Sequence, residues 1–235
     1  MNIFLPFFLY QMNSKALLKR FQDTIPYEIG IDEAGRGPMF GRLYVAGVVL
    51  PKDFDSKGIR DSKKISKKKL LGLSEYIKTH ALSWYIHYIE SDVIDKINIR
   101  QAVLQGMREC ARQNIANIQK DANSFLLLVD GNDFSPFLVY DETTDIMKTV
   151  PHETITGGDD LYVAIAAASI LAKVARDTYI EELCQQYPFL SQYYGIDTNM
   201  GYGTKTHLEG IRNHGITKWH RKTYGCCKTA KMLEL

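Results

Sequence analysis

The sequence is short of the features that announce most functions. Its four cysteines, Cys110, Cys184, Cys226 and Cys227, show neither a zinc-ligand spacing nor an extracellular disulfide framework. Reduced thiols and an intracellular, cytoplasmic setting are the expectation. Residues 3–10 are apolar, but that run is too short to span a bilayer. It also lacks the basic region before it and the small-residue cleavage site after it that a signal peptide needs. Net charge is only +2, so no global field advertises a polyanionic partner. No Pro- or Gly-rich linker divides residues 27–187, and there is no internal repeat or low-complexity tract. With 45% hydrophobic and 24% charged residues, the 235-residue chain suits one globular domain with a terminal extension.

What is present is organised around residues 27–50. Glu28-Ile29-Gly30-Ile31 reads as a short buried strand running straight into Asp32 and Glu33. Adjacent strand residues point to opposite faces of a sheet, so these two acids can share a site only if the strand ends beneath them. Gly35-Arg36-Gly37-Pro38 is predicted to supply that ending, with two glycines free to take positive φ and a proline that blocks further pairing. Residues 41–50 read as a second strand forming a hairpin with the first. Paired acids at the carboxyl end of a strand are poor packing material and good ligands for a hard cation. A charged turn is the competing explanation. The acidic box of a helicase-type NTPase is excluded, because no Gly-x-x-x-x-Gly-Lys-Ser/Thr loop precedes it.

Further along, residues 51–64 form a basic loop and residues 66–79 have helical periodicity, with Leu70, Leu73 and Ile77 on one face and Ser66 as N-cap. Residues 82–89 alternate as a third strand. Residues 98–117 form a long amphipathic helix with Ala102, Val103, Gly106, Met107 and Cys110 inward. Residues 125–129 are continuously apolar, as a central parallel strand should be, and deliver Asp130 just ahead of Gly131. Residues 137–140 and 149–156 contribute further strand, with 135–145 as a surface excursion that pairs in part as a hairpin at the sheet edge. Gly157-Gly158-Asp159-Asp160 opens an alanine-rich helix over 161–186.

Charge is distributed tellingly. Seven Lys/Arg stand against Asp61 alone between positions 57 and 69, and seven more against Glu209 and Glu234 from position 202 onward. Flanking a carboxylate centre, two such runs suit contacts to a phosphate backbone. By this reading Asp32, Glu33, Asp130 and Asp159 converge on one rim of the sheet. Asp160 is the alternative to Asp159, and a helix N-cap is the bland explanation for either. Asp133, Asp141, Asp145 and Asp177 read as loop, cap or ion-pair residues. The spacings of His207, His214 and His220 do not put them on one helical face, so they read as solvent-facing or phosphate-contacting. Tyr202, between two glycines, reads as an exposed stacking platform or as a buried tyrosine in a tight turn.

Ile29-Gly30-Ile31-Asp32-Glu33-Ala34-Gly35-Arg36-Gly37-Pro38 resembles the opening motif of the type 2 ribonucleases H (ribonuclease HII). Asp61-Ser62-Lys63-Lys64, Val129-Asp130-Gly131-Asn132, the segment from Ala166 to Asp177, and Gly201-Tyr202-Gly203-Thr204-Lys205-Thr206-His207 match the same family in the same order. The resemblance implies an α/β ribonuclease H-like fold with a mixed five-stranded sheet and a small helical C-terminal subdomain. The division it suggests is an N-terminal extension (1–25, with Met12 as a second candidate start), a catalytic core (26–187) and a C-terminal helical, basic subdomain (188–235). It implies an endoribonuclease that hydrolyses the RNA strand of RNA–DNA hybrids and cuts 5′ of ribonucleotides embedded in duplex DNA, leaving 5′-phosphate and 3′-hydroxyl ends. Asp32, Glu33, Asp130 and Asp159 fall on the family's acidic positions, with Mg²⁺ or Mn²⁺ as cofactor. Gly35, Arg36, Gly37, Lys63, Lys64, Tyr202 and Lys205 would meet the substrate. A monomer without a recognisable clamp-binding peptide is expected. Residues 130–159 are more numerous than in compact bacterial members. The type 3 enzymes share the core but usually carry an added N-terminal domain, against the 26 residues that precede the first strand here. A binding module that has lost catalysis would show decay at the acids, and all four are intact.

Overall fold

The computed structural model of the chain describes residues 16–59, 65–141 and 145–233. Strand β1 (Tyr27–Ala34) lies at the centre of the sheet. It pairs antiparallel with β2 (Leu43–Val49), and β2 pairs antiparallel with β3 (Ser83–Ile89). On its other side β1 runs parallel to β4 (Phe125–Asp130), which runs parallel to β7 (His152–Ile155). The mixed five-stranded sheet, in the order β3-β2-β1-β4-β7, is the one expected. The apolar run that predicts β4 is buried from Phe125 to Val129, as a parallel strand covered on both faces should be.

Alternation along β1 divides its side chains between two layers. Ile29 and Ile31 pack with α3 (Ile99–Ile118) through Ala102, Val103, Met107 and Cys110. On the opposite face α1 (Lys67–His80) and α4 (Val163–Gln186) enclose Ala46 and Val48 through Leu70, Ile77 and the alanines at 166–168. A Cβ on Gly30 would land in the backbone of Ala164, so glycine in the strand and alanine in the helix together let α4 lie flush on β1. The short α2 (Ser91–Ile97) precedes α3 and is not foreseen in the sequence. Ser66 stands at the N-cap of α1 but makes no side-chain capping bond there. No described helix is long and apolar enough to cross a membrane.

The end of the chain is helical, as expected, with α5 (Phe189–Tyr194), α6 (Ile196–Asn199), α7 (Lys205–His214) and a 3-10 turn at Gly225–Lys228. It has an apolar cluster of its own, in which Leu190, Tyr194, Ile196 and Ile211 meet Ile180 and Leu183 of α4 and Phe40 of the β1–β2 loop. Residues 16–25 of the expected N-terminal extension are docked on the core. Leu18 donates to Leu161 O (2.8 Å) and accepts from Val163 N–H (3.0 Å), strapping the start of α4. The buried Glu28 carboxylate accepts from the amides of Phe21 and Gln22.

The excursion at 135–145 forms a hairpin, β5 (Phe137–Asp141) with β6 (Ile146–Val150), in a two-stranded sheet of its own rather than at the edge of the main one. One face belongs to the core, contrary to the expectation of a purely superficial segment. Phe137 and Val150 are buried against the same cluster as Ile29, Phe125 and Leu127. Leu138, Tyr140 and Met147 are exposed. Truncating a buried Phe to Ala costs about 3–5 kcal/mol, so Phe137→Ala should lower the denaturant midpoint sharply. Tyr140→Ser should stay within about 0.5 kcal/mol of the parent. Equal midpoints for the two variants would mean that the hairpin is not anchored in the core.

Candidate active site

The pairing of β1 with β4 stops at Ile31 and Val129. The next residue on each strand is an aspartate, Asp32 on β1 and Asp130 on β4. Strand β1 does not end beneath its acids as the sequence suggested, since Asp32, Glu33 and Ala34 go on pairing with Ala46, Val45 and Tyr44 of β2. The acids therefore keep to opposite faces. Asp32 lies on the α4 side, where Ser169 hydrogen-bonds it, and its Oδ1 accepts the Glu33 amide (2.7 Å). Glu33 lies on the α3 side, with Arg36 Nη1 at 3.6 Å. Asp130, at the end of β4, acts electrostatically on both.

The third parallel strand completes the rim. After β7 the chain turns through Gly157, at φ +68°, into a 3-10 turn at Gly158–Asp160. The Gly158 amide donates to Asp130 Oδ1 (2.7 Å), tying this turn to the end of β4. Asp159 is 8% exposed, whereas Asp160 is exposed. Tyr162 is the N-cap of α4, so neither aspartate is there as its helix cap.

Burial pushes the Asp32 carboxyl well above the usual carboxylate range, and the charges of Glu33 and Asp130 push it further. Burial raises Glu33 too; Arg36 pulls it back, and Asp130 pushes it up again. Buried like charges of this kind are costly until a cation joins them. Among the described residues no three His, Cys, Asp or Glu side chains are drawn together tightly enough to hold an ion by themselves. The donor set still fits a hard divalent ion, which takes few carboxylates and keeps water or substrate phosphate in its other positions.

A cavity of about 110 Å³ opens on the Glu33 side, lined by Glu33, Arg36, Arg100, Asp130 and Asn132. Arg100 is held there by Asp133 through two bonds of 2.7 and 2.8 Å. A larger cleft of about 280 Å³ lies away from the acids, beside α1 and α4. Its Arg42 is already paired with Glu90 and stacked between Tyr88 and Tyr179.

Gly35 takes positive φ (+96°) as expected, whereas Gly37 does not. The loop they form is held from beneath by two buried arginines that the sequence reading passed over. Arg221 donates to the carbonyls of Gly35 (2.7 Å), Arg36 (3.1 Å) and Gly41 (3.1 Å). Arg176 donates to the carbonyls of Met200 (2.8 Å) and Phe40 (3.3 Å) and occupies the space where a Gly35 side chain would be. Met39 N–H donates to Gly201 O (2.9 Å), joining the loop to the turn that carries Tyr202. Tyr202 is 51% exposed, and a Cβ on Gly37 would lie 3.5 Å from its ring. Lys205 is exposed on the first turn of α7, 3.9 Å from Glu209. Lys63 and Lys64 lie outside the described residues.

The histidines depart from expectation. His207 and His220 are fully buried rather than solvent-facing, with their Nε2 atoms 3.1 Å apart. Of these three, His214 alone is exposed, stacked on Tyr193 at 4.1 Å. Asp133 and Asp177 are ion-pair residues as expected, with Arg100 and Lys173 respectively.

Comparison with known proteins gives a consistent result. The family profile described as Ribonuclease HII matches residues 29–227. The chain is 40% identical to a ribonuclease HII of Parabacteroides distasonis, over 88% of this chain and 94% of that protein. It is 42% identical to one of Oceanobacillus iheyensis, over 84% of this chain and 68% of that protein. Its fold resembles that of the ribonuclease HII in a complex with PCNA from Archaeoglobus fulgidus, with a TM-score of 0.61, 24% identity, and 85% and 95% of the two chains covered. It also resembles Bst-RNase HIII in complex with Mn²⁺, with a TM-score of 0.60, 13% identity, and 80% and 70% covered.

Burial of Asp32, with the repulsion around it, has a measurable sign. Asp32 binds its proton more tightly in the folded chain than in the unfolded one. Between the ordinary carboxylate range and the raised value the folded chain therefore holds more protons, and metal-free stability falls as pH rises through that window. Asp32→Asn removes this cost. In chelator at pH 7 the variant should melt higher, by about 2–4 °C for each kcal/mol relieved, and the difference should close as pH falls below the window. An Asn variant that melts at or below the parent at pH 7 would contradict a cost of burying the Asp32 charge.

Proposed function

The chain belongs to the ribonuclease HII family, and on that premise we propose that the carboxyl rim of β1, β4 and β7 is its active centre. The protein is a metal-dependent endoribonuclease that acts on RNA–DNA hybrids. Our reading adds that it cuts 5′ of ribonucleotides embedded in duplex DNA, leaving 5′-phosphate and 3′-hydroxyl ends. It acts as a monomer, with residues 26–187 as catalytic core and 188–235 as a substrate-facing subdomain. The observation that carries the site is the coupling of Asp32, Glu33 and Asp130, three acids at the one edge where the parallel ladder opens.

Asp32, Glu33, Asp130 and Asp159 are the catalytic acids and would hold Mg²⁺ or Mn²⁺. When bound, the metal supplies an activated water and neutralises charge on the phosphodiester. Asp32 is aimed by the Glu33 amide and by Ser169, and Asp130 by the Gly158 amide. Arg36, Lys63, Lys64 and Lys205 take the phosphate backbone. The 2′-hydroxyl is what tells ribose from deoxyribose, and the 35–37 loop reads it. Arg221 and Tyr224 already engage the carbonyls of Gly35 and Arg36 from below, so amides are what the loop offers outward. Tyr202 stacks on the sugar that follows the ribonucleotide.

Two experiments test this. Asp32→Asn and Asp130→Asn should each lose ~10³-fold or more in cleavage, as groups acting as a unit do, while staying folded. Near-normal nicking by either at saturating Mg²⁺ would sink the acid assignment. Stacking on an aromatic ring is worth about 1–3 kcal/mol. Tyr202→Ala should therefore cut a duplex with one ribonucleotide about ten- to a hundredfold more slowly, and Tyr202→Phe should keep the stacking share. Full activity of Tyr202→Ala on that substrate would leave the tyrosine a packing residue.

A further inference from the structure

Tyr202 presents a half-exposed ring from a turn of small residues, so something beneath the turn must fix where that ring stands. Its backbone is held at both ends. The Tyr202 amide donates to Asn199 O (2.9 Å), and its carbonyl accepts from Thr204 N–H (2.8 Å). The same carbonyl lies 3.0 Å from His207 Nδ1. Behind His207 stands His220, and behind His220 the amide of Thr217, 2.9 Å from His220 Nδ1.

The direction of every bond in this file follows from its far end. A backbone N–H can only donate, so His220 Nδ1 accepts from the Thr217 amide, and the Thr217 hydroxyl oxygen lies at the same distance, 2.9 Å. A neutral imidazole that accepts at Nδ1 carries its proton on Nε2. That proton faces His207 Nε2, which must accept it, so the His207 proton sits on Nδ1. The Tyr202 carbonyl is there to receive it. The surroundings favour neutral rings. Phe40 and Tyr194 meet His220 edge-on at 5.0 Å each, and burial pushes His220 down to about 3 and lowers His207.

We propose that His220 and His207 are positioning residues for Tyr202, one hydrogen-bonded file that sets the turn from which the tyrosine reaches the substrate. The proposal rests on the reading of Tyr202 as a substrate-stacking residue. Neither histidine touches substrate. Both would act by holding one carbonyl, and with it the ring, against the 35–37 loop.

The file makes a claim about protons that core packing alone does not. Long-range ¹H–¹⁵N spectra of the intact protein should show His220 protonated on Nε2 and His207 on Nδ1. The opposite tautomer on either ring would overturn the proposal. Kinetics on a duplex with a single ribonucleotide, in Mg²⁺, give the second reading. His220→Leu breaks the file and should lower cleavage about tenfold, the equivalent of one hydrogen bond's net worth. His220→Gln, which keeps a donor at the Nε2 position, should stay within about threefold of the parent. In a Tyr202→Ala background, His220→Leu should cost nothing further, because what it positions is gone. A loss that persists in that background, full activity of His220→Leu, or failure of Gln to restore activity would each overturn the file. If His220→Leu does not fold, the tautomers and the Gln variant decide. Should Tyr202→Ala itself cut at the parent's rate while the tautomers are as assigned, it is the reading of Tyr202 that falls.

Discussion

Two parallel strands part company where each would place a carboxylate on the next rung. Like charges directly opposite one another in a ladder are destabilising, and the β1–β4 pairing ends one residue short of Asp32 and Asp130. Strand β1 remains clamped to β2 for three further residues. The acids thus ride on rigid backbone while their neighbours open a gap beside them. A site built on strands holds its geometry better than one built on loops. Here one half of β1 supplies the rigidity and the other half supplies the opening.

Around this negative centre the fold sets buried positive charge where it does not neutralise the acids. Arg176 and Arg221 are 3% and 0% exposed. Among the described residues neither has a carboxylate within ion-pair distance, and Asp177 and Asp95 act on them only from further off. Arg221 and the Nη2 of Arg176 donate to backbone carbonyls of the 35–41 loop and of Met200, while Arg176 Nε is buried without a hydrogen-bond partner among the described residues. Guanidinium suits this use, since its several N–H groups lie in one fixed plane. The arrangement makes one unit of the loop after β1 and the turn that carries Tyr202, although some 160 residues separate them in sequence.

The sheet and its acids were legible because each strand obeys one strong local rule. The run 125–129 is apolar throughout, and the segment after Tyr27 is apolar until it meets Asp32. Helices α3 and α4 declare themselves by periodicity and by alanine content. What was not legible depends on partners distant in sequence. Phe137 reads as a strand residue of a surface excursion until Val150 and the main core close on it. His207 and His220 look like members of a basic surface until their burial is seen. The only hint was the apolar company of Ile211 and Ile216 around them. Leu18 carries no motif at all, and its role is a pair of backbone bonds to the start of α4.

The two ways this protein handles positive charge respond differently to ionic strength. Exposed lysines such as Lys205 act through water, and at 0.15 M salt their field fades over about 8 Å. Arg176 and Arg221 hold carbonyls inside the protein, where dissolved ions do not reach. Under the proposed function, salt therefore weakens capture of the nucleic acid by such lysines but leaves the shape of the 35–37 loop unchanged. If that loop reads the 2′-hydroxyl as proposed, discrimination between ribose and deoxyribose should survive under conditions in which affinity has largely gone.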